Sequence, residues 1–125
     1  SSTIPSSSSN CFLSPGDFLN SIAQARTFLT QADATKLQQS GVAQHVTHRD
    51  LVIFGDSGPI DNQLRFPDEC SRHKLLDLIG DLALCGYRLE GLVYACRSGH
   101  NINGRMAQQI RTLKLLPDES LIKAA

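Results

Sequence analysis

The sequence lacks three features that would assign it to a broad functional class. Its 12 lysine and arginine residues equal its 12 aspartate and glutamate residues, so there is no overall basic field to hold nucleic acid or an anionic membrane. It has no apolar run near the roughly 20 residues that cross a bilayer, and its first residues lack the charged and then apolar pattern of a signal peptide. These absences predict a soluble chain with no transmembrane segment and no nucleic-acid partner, in which a local cluster of cations must hold any anionic ligand.

The four cysteines also lack a C-x-x-C pair, which argues against a zinc cluster built from thiolates. Cys70 and Cys85 fall on one predicted helix, about 22 Å apart at a rise of roughly 1.5 Å per residue, and cannot pair with each other. We therefore expect reduced thiols in a compartment like the cytoplasm.

One stretch, from Asp68 to Asp81, shows a clear helical period, and the rest of the chain is arranged around it. Asp68 follows Pro67 and can cap the first turn, while Gly86 stands where a left-handed residue would end the helix. Gly80 lies inside the helix, where glycine is unfavourable relative to alanine and usually marks the close approach of another element. The pattern predicts a helix of about five turns with tight packing at Gly80.

This helix has one polar edge and one apolar edge. His73, Asp77 and Asp81 are spaced i, i+4 and i+8, so their side chains are predicted to stack along one side. The apolar edge that faces the core is predicted to contain Leu75, Leu78, Ile79 and Leu82.

Three further helices are predicted from capping signals. Ser14 begins a helix that ends near Gln24, and Thr30 begins a second that runs to Gly41. A last helix is capped by Asn101 or Asn103 and ends before Pro117.

Short runs of apolar residues predict strands between these helices, at Leu51–Phe54, Leu64–Phe66 and Leu92–Cys96. Short strands mixed with amphipathic helices, without regular alternation, predict an α+β two-layer sandwich of a small mixed sheet packed on helices. We expect residues 1–10 to be a disordered serine-rich linker, residues 11–116 to form the domain, and residues 117–125 to be a tail.

Two histidines are candidates for chemistry, and each has a simpler explanation. His73 and Asp77 have the i, i+4 geometry that lets two side chains share one metal ion, but a solvated helix face with a His–Asp hydrogen bond fits the same pattern. Asp81, taken alone, is an ordinary surface acid. His100 ends the turn Ser98–His100 and is either a presented functional imidazole or a polar turn residue.

Several blocks, in their order and spacing, closely resemble the UDP-3-O-acyl-N-acetylglucosamine deacetylases, the zinc amidases of lipid A biosynthesis. The blocks are Ala25–Phe28, Phe66–Glu69, Arg72–Leu82, and Ser98–His100 with Asn103. The resemblance runs from about Phe12 to Leu113 and covers the C-terminal half of the family's fold, in which two similar α+β domains face each other across the active site.

The resemblance implies a role for each of five side chains. His73 and Asp77 would bind Zn²⁺ together with one histidine from the N-terminal half. His100 would be the charged imidazole that stabilises the tetrahedral intermediate and protonates the leaving amine, and Asp81 would orient it and favour its cation. Thr27 would donate a hydrogen bond to the oxyanion.

The resemblance also implies how the substrate is held and where the enzyme works. Lys74 and Arg97 would lie near the diphosphate of a UDP-3-O-acyl-glucosamine-type substrate, and Phe28 near the sugar and acyl chain. The family is cytoplasmic, in bacteria or in an organelle of bacterial origin. Arg97 stands where a lysine is common, and a forked guanidinium holds phosphate differently from a point charge.

The chain departs from the family in ways that limit this prediction. The third zinc ligand and the glutamate that acts as general base have no counterpart here, so we expect the isolated chain to be inactive. His45 and His48 would point to opposite faces of an extended segment, which favours a solvated strand edge over a second metal site. The alternative hypothesis is a standalone, non-catalytic relative that binds a UDP-sugar or a protein partner.

Overall fold

The computed structural model describes residues 4, 6–9, 14–41, 45–47 and 49–113. The predicted tail 117–125, the helix end at Pro117, half of the predicted linker 1–10, and His48 lie outside the described residues. The chain divides into two compact units, Ser1–His73 and Lys74–Ala125, and the boundary falls inside one helix. The elements in chain order are α1 (Pro15–Asp17), a π-helical turn (Phe18–Ile22), β1 (Thr27–Thr30), α2 (Gln31–Gln39), β2 (Leu51–Gly55), β3 (Gly58–Pro59), α3 (Glu69–Ala83) and α4 (His100–Leu113).

The first unit contains a small mixed sheet with the strand order β1-β2-β3. β1 and β2 are parallel, in a register that starts at Thr27 opposite Leu51. β2 and β3 are antiparallel, and the residue pair nearest the turn between them is Gly55 opposite Gly58. Gly58 has a φ of 128°, a conformation that side-chain-bearing residues rarely adopt, which explains glycine at this turn. The combination of this sheet with four α-helices in the described residues confirms the predicted α+β class.

The core of the first unit lies on the face of β2 that carries Val52 and Phe54. These alternate residues are 0% and 1% exposed and pack with the buried Cys70 of α3. Phe28 and Leu64 cover this cluster from its edge. Because Cys70 belongs to the first turn of α3, burial of this thiol attaches the start of the helix to the sheet.

Capping explains where the first two helices begin, as the sequence predicted. The Ser14 hydroxyl accepts a hydrogen bond from the Asp17 amide at 3.1 Å, with Pro15 at the first helical position. The Thr30 hydroxyl accepts from the Asp33 amide at 3.2 Å. The second cap lies at the last residue of β1, so the chain passes from strand to helix without a loop.

The second unit has its core between the C-terminal half of α3 and the middle and later turns of α4. Leu78, Leu82 and Cys85 form a buried cluster with Ala107 of α4, and Ile110 packs at its edge. The predicted end of α3 is confirmed within a few residues, since the helix ends at Ala83 and Gly86 has a φ of 79°.

The predicted close packing at Gly80 is wrong for the part of the chain described here. Gly80 is exposed, and a Cβ built on it would meet no described atom within 4 Å. The glycine therefore gives α3 no packing contact within this unit, although it retains the cost of glycine in a helix.

Two predicted strands are absent from the described structure. Leu64–Phe66 is irregular because its backbone forms hydrogen bonds to the start of α3 instead of to a strand. The Arg65 amide donates to the Glu69 carboxylate at 2.6 Å, and the Phe66 carbonyl accepts from the Glu69 amide at 3.1 Å. Leu92–Cys96 is irregular and exposed, with Tyr94 at 86%. An apolar run forms a strand only where a neighbouring strand takes its backbone hydrogen bonds, and none of the described residues supplies one to this run.

Two further local predictions are corrected. The last helix begins at His100, so Asn101 and Asn103 lie inside it and neither is its cap. His45 lies in a turn rather than at a strand edge, and it is exposed as expected.

Three cysteines fall among the described residues, and all three are free: Cys70 and Cys85 are buried and Cys96 is exposed. No helix in the described ranges is long and apolar enough to cross a membrane.

Candidate functional site

In the first unit, the start of β1 is held against the first turns of α3 by a buried ion pair. The Arg26 Nε donates to the Glu69 carboxylate at 2.8 Å, and its Nη2 donates to the other carboxylate oxygen at 3.0 Å. The backbone amide of Arg26 also donates to Glu69, at 3.0 Å. Glu69 is 1% exposed and Arg26 8%, so both charges are buried and each compensates the other.

The electrostatics of this pair favour its charged form. Burial alone would raise the pKa of Glu69, but hydrogen bonds from Arg26 and from the Arg65 amide outweigh burial and hold the pKa below its usual value. The hydrogen bond to Glu69 and its negative charge raise the pKa of Arg26. Glu69 is therefore an anion that accepts from backbone and side chain together and orders the chain around Arg26.

His73 lies one turn after Glu69 on α3 and contacts the residues on either side of Arg26. Its Nδ1 is 3.1 Å from the Ala25 carbonyl oxygen, and its Nε2 is 3.3 Å from the Thr27 hydroxyl. A carbonyl oxygen can only accept, so Nδ1 carries the proton and Nε2 of the neutral ring keeps its lone pair. Metal-binding histidines have this arrangement, with the second nitrogen donating to a carbonyl or carboxylate.

Phe28, predicted to lie near the sugar and acyl chain, also contacts this histidine. Its ring meets the His73 ring edge to face, with 6.0 Å between the centroids. The first unit thus brings together three of the predicted site residues, Thr27, Phe28 and His73.

In the second unit, a hydrogen-bonded group connects α3 to the start of α4. Asp81 accepts from the His100 Nδ1 at 2.9 Å and from the Asn103 side-chain amide at 2.9 Å. Burial alone would raise the pKa of Asp81, but these hydrogen bonds and the charges of His100 and Lys74 hold it below its usual value. An ionised carboxylate cannot donate, so the His100 Nδ1 carries a proton and the ring is oriented by Asp81.

Asp77 lies close to His100 and is paired with a lysine. The Lys74 ammonium is 3.0 Å from one oxygen of Asp77, and the His100 Nε2 is 3.9 Å from the same oxygen. The Asp77 side chain is only 12% exposed. The second unit therefore brings four predicted site residues together: Lys74, Asp77, Asp81 and His100. Lys74 forms an ion pair with Asp77, the predicted metal ligand.

Arg97, the other predicted phosphate-binding cation, lies in the turn before α4. It is exposed and has a φ of 49°, a left-handed conformation that few residues other than glycine adopt. Arg97 therefore lies in a left-handed backbone conformation three residues before α4 begins at His100.

Sequence reasoning assigned no role to the Arg26–Glu69 pair. Both residues stand inside the blocks that carry the family resemblance, but a charged residue in a sequence gives no sign of its burial. A glutamate in the first turn of a helix is usually explained by the helix dipole. Asn103 was expected to cap a helix, whereas its side chain is bonded to Asp81.

Two residues of α3 have the chemistry of zinc ligands. His73 presents an Nε2 lone pair of fixed tautomer, and Asp77 presents a carboxylate; imidazole nitrogen and carboxylate oxygen are both common ligands of Zn²⁺. Within the described ranges, no group of three or more His, Cys, Asp or Glu side chains is placed to hold a metal ion.

The chain is similar in sequence to known deacetylases. The model of the UDP-3-O-acyl N-acetylglycosamine deacetylase family matches residues 1–112. Three relatives are all named UDP-3-O-acyl-N-acetylglucosamine deacetylase: that of Geobacter sp. (strain M21) is 40% identical over 94 residues, that of Blochmanniella pennsylvanica 38% over 104, and that of Haemophilus ducreyi 34% over 102.

These alignments cover most of this chain but a minor part of each relative. They include 74%, 81% and 81% of this chain, and 31%, 35% and 33% of the relatives from Geobacter, Blochmanniella and Haemophilus. The chain therefore spans about a third of the length of the curated relatives it matches. Because the family model matches most of its residues, the chain belongs to the UDP-3-O-acyl N-acetylglycosamine deacetylase family.

Proposed function

We propose that this chain is the C-terminal domain of a zinc-dependent deacetylase that hydrolyses the acetamide of a UDP-3-O-acyl-N-acetylglucosamine in lipid A biosynthesis. The N-terminal half of the same cytoplasmic enzyme would supply the third zinc ligand and the general base, so the isolated chain would be inactive. The observation that carries the proposal is the hydrogen bond from the His73 Nδ1 to the Ala25 carbonyl. It places the ring proton on Nδ1, so Nε2, which lies 3.3 Å from the Thr27 hydroxyl, is the nitrogen that would bind the metal.

His73 and Asp77 are the residues that would hold the metal. Both belong to α3 and are four positions apart in the helix, the spacing that lets two side chains share one ion. When bound, Zn²⁺ would supply Lewis-acid polarisation of the acetamide and lower the pKa of a water molecule.

The other roles fall to residues that bind, orient or carry a proton. The Thr27 hydroxyl, which lies beside His73, would donate to the developing oxyanion, a contribution typically of about 3–4 kcal/mol for one donor. His100 would donate its Nε2 proton to the leaving amine. Asp81 would keep the ring in position through Nδ1, in the way that a buried carboxylate orients a catalytic imidazole.

The substrate's diphosphate and acyl chain would meet cations and an aromatic ring. Arg97 is exposed and could form forked hydrogen bonds to phosphate. Lys74 is paired with Asp77, so its contact with phosphate would compete with that pair. Phe28, half-buried against His73, would contact the sugar and acyl chain.

Zinc binding by the isolated chain is the first test. Calorimetric titration with Zn²⁺ should show one weak site that is lost in His73→Ala and in Asp77→Ala. His45→Ala is the matched control, because His45 is exposed in a turn and should leave binding unchanged. Zinc affinity in His73→Ala equal to that of the unmodified chain would refute the ligand assignment.

Deacetylation is the second test. The chain is coexpressed with the N-terminal part of the Geobacter relative, and acetate release from UDP-3-O-acyl-N-acetylglucosamine is measured. We expect activity only when both parts are present, and none with His73→Ala. A chain that binds UDP but neither zinc nor a complementing part would instead support the non-catalytic alternative.

A further inference from the structure

We infer that Glu69, through Arg26, is a positioning residue that sets the tautomer and orientation of His73. The inference rests on the proposed function for its importance, since a fixed tautomer matters most if Nε2 binds a metal. The geometry on which it depends lies wholly within the first unit.

The argument begins with three consecutive residues, all contacted by one face of α3. Ala25 accepts from the His73 Nδ1, Arg26 donates its backbone amide to Glu69, and Thr27 contacts the His73 Nε2. Glu69 and His73 are four residues apart, so they project from the same side of the helix. The helix therefore holds this short segment at its middle by Glu69 and at both ends by His73.

The contact of Glu69 with the Arg26 amide sets the direction of the Ala25 carbonyl because peptide groups are planar. The Arg26 amide and the Ala25 carbonyl belong to one peptide unit, which has a single orientation. When Glu69 accepts from the Arg26 amide at 3.0 Å, the carbonyl of this trans peptide unit must point in the opposite direction, where it accepts from His73 at 3.1 Å. The Glu69 carboxylate thus aims the acceptor that selects the His73 tautomer.

The burial of Glu69 makes this orientation specific. Its second oxygen accepts from the Arg26 Nη2 at 3.0 Å and from the Arg65 amide at 2.6 Å, and Arg26 is further held by Asn62 at 2.9 Å. A carboxylate that is 1% exposed and accepts four hydrogen bonds has little freedom to rotate. Glutamine in its place would turn its NH₂ group toward these donors and lose that arrangement.

The test uses Glu69→Gln in the full chain without metal. Two-dimensional ¹H–¹⁵N spectra of the imidazole rings report which nitrogen carries the proton, and the His73 signals are assigned with His73→Asn. At about pH 8.5, above the usual histidine pKa of roughly 6.5, the unmodified chain should show a single tautomer with the proton on Nδ1. In Glu69→Gln the proton should be shared between Nδ1 and Nε2.

Ala34→Gly is the matched control for a loss of stability alone. Ala34 is buried in α2 of the same unit, seven residues beyond Thr27, and the substitution adds the cost of glycine in a helix. It should lower the free energy of unfolding and leave the His73 tautomer unchanged. If Glu69→Gln does not fold, Glu69→Asp, which keeps the charge but is shorter by one methylene, is measured in the same way with the same expectation.

A second readout connects the inference to zinc. Glu69→Gln should weaken Zn²⁺ binding about 10-fold, the lower end of the effect of removing a partner that orients a metal ligand. An unchanged tautomer in folded Glu69→Gln, or an equal tautomer change in Ala34→Gly, would overturn the inference. Absence of zinc binding by the unmodified chain would instead refute the proposed function and leave the tautomer result standing, so the two failures are distinguishable.

Discussion

Replacement of Arg26 by methionine tests whether the buried pair stabilises the first unit as its geometry indicates. Arg26→Met removes the two side-chain hydrogen bonds to Glu69 and the bonds to Asn62 and the Gln63 carbonyl. It leaves a buried carboxylate with only the amides of residues 26 and 65 as partners. Methionine has a similar length and fills the same space with apolar atoms, so the change is mainly one of charge.

The expected cost is large relative to the stability of a domain. Removing one partner of a buried ion pair typically costs about 3–5 kcal/mol, because the remaining charge is uncompensated. Domains of this size are stable by about 5–15 kcal/mol, so Arg26→Met should lose at least about a fifth of the total. Urea unfolding at about pH 7 measures the difference, read from the midpoint at an unchanged slope.

The pH dependence of this loss has a defined sign. In the unmodified chain the pKa of Glu69 lies below 4.5, so its contribution is complete above that pH and is lost as the pH falls through the folded-state pKa. In Arg26→Met burial is no longer opposed by the guanidinium, and the pKa of Glu69 should rise above 4.5. The variant then recovers stability as the pH falls from neutral, so the difference between the two proteins should shrink.

A surface pair supplies the control for this experiment. Arg88 and Glu90 form an ion pair at 3.3 Å with side chains 79% and 69% exposed. Arg88→Met should change stability by less than about 0.5 kcal/mol. A loss below about 1 kcal/mol in Arg26→Met, or a loss equal at pH 5 and pH 7, would refute the reasoning from burial.

Three further predictions concern other parts of the chain. Gly80→Ala should stabilise it by about 0.5–1 kcal/mol in thermal or urea unfolding, because a Cβ there meets no described atom, and destabilisation would show that something packs against this position. Asn103→Ala should raise the pKa of Asp81, measured by ¹³C titration of its carboxyl group, because one hydrogen bond to the carboxylate is removed; an unchanged pKa would contradict that role. Iodoacetamide at about pH 8 should modify Cys96 much faster than Cys70, because burial raises the pKa of Cys70 to about 11; equal rates by peptide mass spectrometry would contradict the assigned burial.

Local signals in the sequence were sufficient for most of the helices. The caps at Ser14 and Thr30 and the end of α3 before Gly86 are as predicted, because a cap acts over three or four residues that are neighbours in sequence. The strand at Leu51–Phe54 was predicted correctly from its β-branched apolar run, and the structure extends it by one residue to Gly55.

Predictions that required a partner distant in sequence were less successful. Leu92–Cys96 has the composition of a strand but pairs with none of the described residues, and Leu64–Phe66 gives its backbone hydrogen bonds to α3. The resemblance selected Thr27, His73, Asp81 and His100 as site residues, and their assigned catalytic roles stay predictions.

The sequence by itself determined the family, the α+β class and the helical spacing of His73, Asp77 and Asp81, since these depend on residue identity and on intervals of a few positions. Only the tertiary structure decided that Glu69 is a buried anion, 43 positions from its partner Arg26, and that His73 donates through Nδ1 to a carbonyl 48 positions away. The physical reason is that burial and the direction of a peptide group are properties of how distant segments meet.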